Sequence, residues 1–444
     1  MSVNKTRRKY WIRIIYSICC FVIAAASAAV LWYYNVGIGW DPGYFGTKPL
    51  ILISIMYTLL YFFFARIYNA LIIGNYRLTE LAFSQLLSFS FSDAIYFVAA
   101  FFWFHNFQRI HLSLFLLALV LQTLSAGVLA FVFNRLFAYY DEPRKVIIIN
   151  GGGDYDDLVG KMNRYHHRYQ ILACLEETED IDVLKKWILD AEDIYLFNIN
   201  RALQNRLVRY CRQQGKKIHV SLDVDDLILT EFELSHFFDT PFLHNRYSSV
   251  QWYYPFVKRA GDIVIALILL IITLPVLLIT VIAIKACDGG PVLYCQERLT
   301  KDGRVFTIYK FRSMYVDSED RPRLAERNDS RITPVGSFIR KFRIDELPQL
   351  LNVLKGDMSM VGPRPERPEI AAEYAETIED FPLRLAVPAG ITGYAQVYGL
   401  YSTSPMDKLK LDLIYIANRS VLLDSKLLFH TFKIVFKPES SEGV

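Results

Sequence analysis

The chain has 444 residues, of which 53% are hydrophobic, 15% aromatic and 21% charged, with a formal net charge of +4. That is too apolar for an ordinary soluble enzyme and too charged for a protein made only of membrane spans, so the two characters must be segregated along the chain. The small net charge and the lack of a long basic tail give nucleic acid no electrostatic footprint to bind.

Apolar stretches fill the first third: Trp11 to Tyr33, Pro49 to Phe64, Leu81 to Phe104 and Ile110 to Phe133. Each is near the ~20 residues needed to cross the hydrocarbon core, which predicts a four-helix transmembrane bundle over residues 1–140. Lys5, Arg7, Arg8 and Lys9 precede the first stretch, Arg66 and Arg77 separate the second from the third, and Arg135, Arg144 and Lys145 follow the fourth. The connections Tyr34 to Lys48 and His105 to Arg109 are poor in Lys and Arg, so the positive-inside rule places both ends of the bundle in the cytoplasm. The first run is too long for a cleaved signal peptide, and its small residues, Ala24 to Ala29, lie inside it. Asp93 is the one acidic residue well inside a span, which makes an anchor a better reading than a proton path.

From Pro143 the pattern changes. Lys145 to Asn150 is a short apolar strand followed by Gly151-Gly152-Gly153. Ile171 to Glu176, Asp193 to Asn198 and Lys217 to Ser221 read as further strands between helices. The alternation predicts a Rossmann-like α/β middle domain over residues 143–246. Its glycine turn is an incomplete dinucleotide fingerprint, because Asp156 stands where a third glycine belongs and Asp154, Asp156 and Asp157 would repel a pyrophosphate. A structural or regulatory role fits better, and the domain could mediate a homodimer. Cys19, Cys20, Cys174, Cys211, Cys287 and Cys295 form no CxxC pair and have no His at zinc spacing, which suits reduced thiols in the cytoplasm.

A fifth apolar run, Gly261 to Ile284, is long enough to span, but Lys258 and Arg259 precede it and Lys285, Arg298, Lys301, Arg304, Lys310 and Arg312 follow, so both flanks claim the cytoplasmic face. Pro275 lies near its middle and removes a backbone donor. A re-entrant helix broken at Leu274-Pro275, its freed carbonyls served by a partner such as Thr273, satisfies both facts; an ordinary span with a proline kink is the alternative.

Beyond the run, Arg340, Lys341 and Arg343 precede Asp345-Glu346, and Val361-Gly362-Pro363-Arg364-Pro365 follows. Phosphate chemistry needs a carboxylate nucleophile or metal ligand, cations for developing charge, and an arginine held still enough to bind oxygens. The spacing of Leu347, Leu350, Leu351 and Leu354 predicts one helix from Ile344 to Leu354 with Asp345 at its N-cap, where amides and the helix dipole would favour the ionised carboxylate. On spacing alone, Asp345 could equally be only a cap, and Arg364 a solvated turn residue. Pro363 and Pro365 restrict the backbone around Arg364, so its fork could meet a phosphate or the far end of a nucleotide. Arg312, Lys310, Arg340 and Arg343 are further phosphate candidates, and Gln396, with Tyr394, could touch a sugar. Lys258 and Arg259 sit where the dipping helix meets headgroups, where they could receive a lipid phosphate or simply snorkel. Leu409 to Tyr415 and Leu422 to Phe436 read as amphipathic helices lying on the membrane, and Pro438 to Val444 as a disordered tail.

From Lys258 onward these blocks resemble the polyprenyl-phosphate hexose-1-phosphate transferases, the long-form monotopic phosphoglycosyl transferases of bacteria. The resemblance rests on Lys258-Arg259-x-x-Asp262, Gly290-Pro291-Val292, Gln296-x-Arg298, Lys310-Phe311-Arg312-Ser313-Met314, Asp345-Glu346-Leu347-Pro348-Gln349, Val361 to Pro365, and Pro388-x-Gly390-x-Thr392-Gly393. It implies an α-rich catalytic domain over residues 252–437 with a re-entrant helix, on the cytoplasmic face of the bacterial inner membrane. It also implies transfer of sugar-1-phosphate from a UDP-sugar donor to a polyprenyl phosphate acceptor, with release of UMP, to begin exopolysaccharide, capsule or O-antigen repeat units. By the same resemblance Asp345 attacks, forming an aspartyl phosphosugar, and Glu346 binds Mg²⁺, although the two roles could be exchanged. Mg²⁺ is expected because a hard cation can neutralise charge left on UMP. The rival readings are a nicotinamide-dependent nucleotide-sugar dehydratase using the middle domain, and a non-enzymatic scaffold for polysaccharide assembly.

Overall fold

The computed structural model describes residues 2–34, 47–74, 78–104, 111–140, 143–152, 155–164, 168–177, 180–230, 232–237, 240–245, 253–315, 331–399 and 403–435. The candidate charges Arg77 and Asp154 and the tail from Pro438 lie outside them. The chain divides into two compact units, Met1–Leu222 and Asp223–Val444.

The first unit opens with helices α1 (Ser2–Trp32), α2 (Thr47–Ile67), α3 (Leu78–Phe104) and α4 (Leu112–Tyr140). All four are long and apolar enough to cross a membrane. Tyr16, Cys20, Ala24 and Ala28 repeat every fourth residue along one buried face of α1, and Ala65, Ala126 and Ala130 are buried with them. In lipid there is no hydrophobic drive between helices, so small residues that let backbones approach, and hydrogen bonds between helices, must supply the association. Gln85 donates to the Tyr16 hydroxyl and accepts from Tyr61, while Tyr57 donates to Asp93 at 2.6 Å and accepts from Gln122. The intramembrane carboxyl is therefore engaged in joining helices.

The α/β part of this unit has β1 (Arg144–Asn150), α5 (Asp156–Arg164), β2 (Tyr169–Glu176), α6 (Ile181–Asp190), β3 (Asp193–Phe197), α7 (Arg201–Gln213) and β4 (Lys217–Val220). The four strands form a parallel sheet in the order β2-β1-β3-β4, and Val146 to Ile149 of central β1 are fully buried. A Cβ on Gly151 would lie 2.2 Å from the Asn198 carbonyl, so close packing alone requires that glycine. Glu177 accepts from the Asn200 amide at the start of α7, placing a carboxylate where a bound phosphate would need donors.

The second unit contains α8 (Val224–Leu229), the hairpin β5 (Phe232–Phe237) and β6 (Thr240–Asn245), and α9 (Tyr254–Asp288). A second hairpin, β7 (Leu293–Leu299) and β8 (Val305–Phe311), leads to α10 (Pro334–Lys341), α11 (Gln349–Lys355) and β9 (Ser359–Val361). The unit ends with α12 (Pro368–Thr377), β10 (Gly390–Thr392), α13 (Tyr394–Tyr398), α14 (Pro405–Asn418) and α15 (Val421–Val435). β9 and β10 pair in parallel, and the core gathers Phe306, Ile308, Leu350, Val353, Met360, Leu409, Leu413 and Leu427.

Helix α9 is the fifth element long and apolar enough to cross a membrane, so this is a membrane protein. Ile271, Ile272, Ile279 and Ile282 lie exposed along it, an apolar surface that lipid would cover. The helix runs unbroken through Pro275, unlike the break expected at Leu274-Pro275. Thr273 Oγ1 donates to the Leu269 carbonyl, not to the Ile271 carbonyl that Pro275 leaves without its helical donor. Helix α14 also departs from expectation: Leu409, Leu413, Tyr415 and Ile416 are buried in the core, so it is a packing helix and does not lie flat on a membrane, whereas α15 keeps Leu422 and Phe432 exposed.

Candidate active site

The single helix expected from Ile344 to Leu354 is two elements. Arg343, with φ of 55° and ψ of 24°, reverses the chain after α10 into a 3₁₀ turn, Ile344–Glu346, and α11 begins only at Gln349. Pro348 accounts for the division through its missing N–H, which leaves the preceding turn without a helical donor, while the backbone at Leu347 itself stays in α geometry. Asp345 is thus inside the tight turn and is not an N-cap. Arg343 adopts a left-handed conformation that costs a non-glycine residue energy, and it lies two residues from the carboxylate the site is built around.

Three cations converge on Glu346: Arg364 Nη2 at 2.9 Å from Oε1, Lys310 Nζ at 3.4 Å from Oε1, and Arg343 Nη1 at 3.7 Å from Oε2. Burial alone would raise this carboxyl, but the charges of Arg364, Lys310 and Arg343 together hold it well below the usual carboxylate range. Arg364 rises in turn because of the Glu346 charge. Lys310 is pulled below the usual lysine range by burial, against the pull of Glu346. Asp345 behaves differently. No hydrogen bond or ion pair reaches its carboxylate among the described residues, and burial first, then the charge of Glu346, raise it to about 6 against Lys310, Arg340 and Arg364.

Each cation arrives on a different element. Lys310 stands near the end of β8, which the fully buried Asn352 of α11 holds by accepting from the Tyr309 amide and donating to the Thr307 carbonyl. Arg364 follows β9 on a loop pressed against the segment leading into β10: Gly362 donates to Thr392 at 2.8 Å and Gly390 to the Pro363 carbonyl at 2.9 Å. A Cβ on Gly362 would come within 2.2 Å of the Pro388 carbonyl, so the glycines of both motifs serve one backbone-to-backbone contact. On its other face Arg364 borders a cavity of about 290 Å³ with Pro363, Pro365, Pro368, Phe381 and Pro382.

The remaining candidates sit apart from this cluster or at its edge. Arg340 donates to Ser313 Oγ at 2.8 Å while its charge still acts on Asp345. Arg312 is buried, and its amide donates to the Val292 carbonyl. Gln396, on α13, has both amide atoms enclosed with no hydrogen-bond partner among the described residues. Lys258 pairs with Asp424 at 2.9 Å and stands 4.0 Å from Asp262. Arg259 donates to the Val353 and Leu354 carbonyls, capping α11. Asp262 accepts from Ser359 Oγ at 2.8 Å and from the Met360 amide at 3.2 Å, tying α9 to the strand that leads to Arg364. These side chains brace the site from α9, and the spacing of the motif gave no sign of their partners 94 to 166 residues away. Sequence reasoning also passed over Arg298 as a site residue, taking it only as a flanking charge and as part of a motif. Its Nη1 donates to the Pro365 carbonyl, and burial lowers it to about 10 beside Glu366, Arg367 and Arg364.

Comparison with known proteins gives this geometry a context. Residues 253–438 match the family described as bacterial sugar transferase. Over 186 residues the chain is 43% identical to a UDP-N-acetylgalactosamine-undecaprenyl-phosphate N-acetylgalactosaminephosphotransferase of Aeromonas hydrophila, covering 41% of this chain and 44% of that protein. Over 187 residues it is 43% identical to a UDP-glucose:undecaprenyl-phosphate glucose-1-phosphate transferase of Escherichia coli K12, covering 41% of this chain and 40% of that protein. The chain therefore spans less than half the length of these relatives. A galactosyl transferase of Streptococcus agalactiae serotype III is matched far more fully, at 31% identity over 399 residues, which cover 80% of this chain and 86% of that protein.

Proposed function

Because the chain belongs to the bacterial sugar transferase family, we propose that it transfers sugar-1-phosphate from a UDP-sugar to undecaprenyl phosphate, as the first membrane step of a polysaccharide repeat unit. The observation that carries this reading is the division of labour between two adjacent carboxylates: Glu346 is held by three cations, while Asp345, one residue away, has no side-chain partner among the described residues and is half-buried. A nucleophile must be ionised, lightly solvated and unengaged, and Asp345 meets those conditions above about pH 6.

An Asp345 carboxylate oxygen attacks the sugar-bearing phosphorus of the donor, the pyrophosphate bond breaks, and UMP leaves with the bridging oxygen. The aspartyl phosphosugar is then attacked by a phosphate oxygen of the lipid, which forms the lipid diphosphosugar and returns Asp345 as a carboxylate. Lys310, Arg340 and Arg364 lie close enough to act electrostatically on Asp345 and so to stabilise charge developing on the phosphoryl oxygens. The cavity beyond Arg364, walled by prolines and Phe381, suits an uncharged ring better than a phosphate and is where the nucleoside end is received.

A magnesium ion fits this donor set. No group of three His, Cys, Asp or Glu is found among the described residues, and Mg²⁺ is typically held by one or two carboxylates with substrate phosphates and water. Glu346 is the residue that would hold it while Asp345 attacks, or Asp345 if the two roles are exchanged, and its chemistry there would be to neutralise the leaving phosphate.

The deciding experiment is UMP release by detergent-purified protein given a panel of UDP-sugars and polyprenyl phosphate. Wild type should release UMP and D345N should release none; normal UMP release by D345N would remove the nucleophile assignment. Chelation with EDTA should stop turnover and added Mg²⁺ should restore it, and full activity in EDTA would remove the metal.

A further inference from the structure

Arg384 lies in the 3₁₀ turn Phe381–Ala386 and is 4% exposed. Its Nε and Nη2 donate to Asp412 Oδ2 at 2.9 and 2.7 Å, and Asp412 on α14 is itself 1% exposed. A buried ion pair adds little net stability over an apolar pair of similar size, so its presence calls for another account. That account is in the third bond: Arg384 Nη2 also donates to the main-chain carbonyl of Arg364 at 3.0 Å. Its Nη1 stands 3.6 Å from Glu366, and its guanidinium lies 5.0 Å from the centre of the Phe381 ring.

Arg364 needs such a restraint. Its side chain is 45% exposed, and among the described residues its guanidinium pairs with Glu346. Pro363 and Pro365 fix φ on either side and bias Arg364 toward extended geometry, and within that range the peptide plane after Arg364 is held by what its carbonyl meets. The carbonyl meets a guanidinium that Asp412, Glu366 and Phe381 hold in place.

We propose that the buried Arg384–Asp412 pair is a positioning clamp for Arg364, fixing the direction in which its guanidinium leaves the loop toward Glu346 and the donor phosphates. The inference rests on reading Arg364 as a donor contact. Arg384 acts through Arg364, and the pair contributes aim more than stability.

The test is a double-mutant cycle on the full chain, R384K against R364K, read by UMP release. R384K keeps the charge but cannot make the three bonds. In the wild-type background it should lower kcat/KM by about tenfold or more, the scale expected when a contact group is misplaced. In the R364K background it should cost less than about threefold, because the aimed group is already gone. Additive losses, as expected if Arg384 touched the donor directly or merely held the fold, would overturn the clamp. Hydrogen exchange gives a readout independent of activity: peptides covering residues 359–367 should exchange faster in R384K while those covering 305–311 do not. Unchanged exchange at 359–367, or a rise spread over the whole unit, would also overturn it. Wild-type protein that releases UMP from no UDP-sugar would sink the functional reading alone, leaving exchange to decide the clamp.

Discussion

At the scale of single residues, two neighbouring carboxylates differ because of what surrounds them. Glu346 is surrounded by cations and stays charged; Asp345 meets no hydrogen-bond partner among the described residues, with burial and Glu346 raising it to about 6. The nucleophile is the ionised form, so kcat/KM should be flat above that pH and fall about tenfold per unit below it. Lys310 lowers Asp345, so K310M should move this acid limb to higher pH as well as slow the reaction. A pH–rate profile of UMP release for both proteins checks the sign, and an unmoved or downward-moving limb would show that Asp345 is not the group titrating. The Asp345-Glu346 pair and Arg364 were legible in the sequence because an acidic pair and a proline-braced arginine are unusual. Arg384 and Asp412 were not, because a buried ion pair between two elements leaves no local pattern.

At the scale of elements, hydropathy and charge located each long apolar helix, though the expected ends fall up to nine residues short, because lipid dictates the apolar middle and not the polar turns that extend it. The α/β strands were equally plain, as their apolar runs are short and bounded by turns. The split of Ile344 to Leu354 was missed because leucine spacing was weighed above Pro348, although a missing donor there outranks side-chain periodicity. Helix α9 poses the sharpest question of element geometry, and two exposed native thiols can answer it: Cys174 precedes the helix and Cys295 follows it. If α9 re-enters, a membrane-impermeant maleimide should reach both thiols from the same side of sealed inverted vesicles. Labelling of Cys174 from one side and Cys295 from the other would make α9 an ordinary span.

At the scale of the whole molecule, every residue assigned to the site belongs to the unit Asp223–Val444, which has a hydrophobic core of its own. That unit expressed alone should therefore release UMP from a UDP-sugar at a rate within about tenfold of the full chain, a comparison made in the same detergent. A dead fragment that is nevertheless folded would show that the first unit contributes to chemistry. In the first unit, Tyr57 links Asp93 Oδ1 to Gln122, Gln85 accepts from Tyr61, and Glu177 accepts from the Asn200 amide at the start of α7.

The basic residues at the mouth of α9 are engaged internally. Lys258 is committed to Asp424, and Arg259 to two carbonyls of α11. Anionic headgroups thus find little electrical purchase at these two positions, and what seats the catalytic unit is grease: the row of isoleucines from Ile271 to Ile282. Attachment of that kind resists a high-salt wash and yields only to detergent.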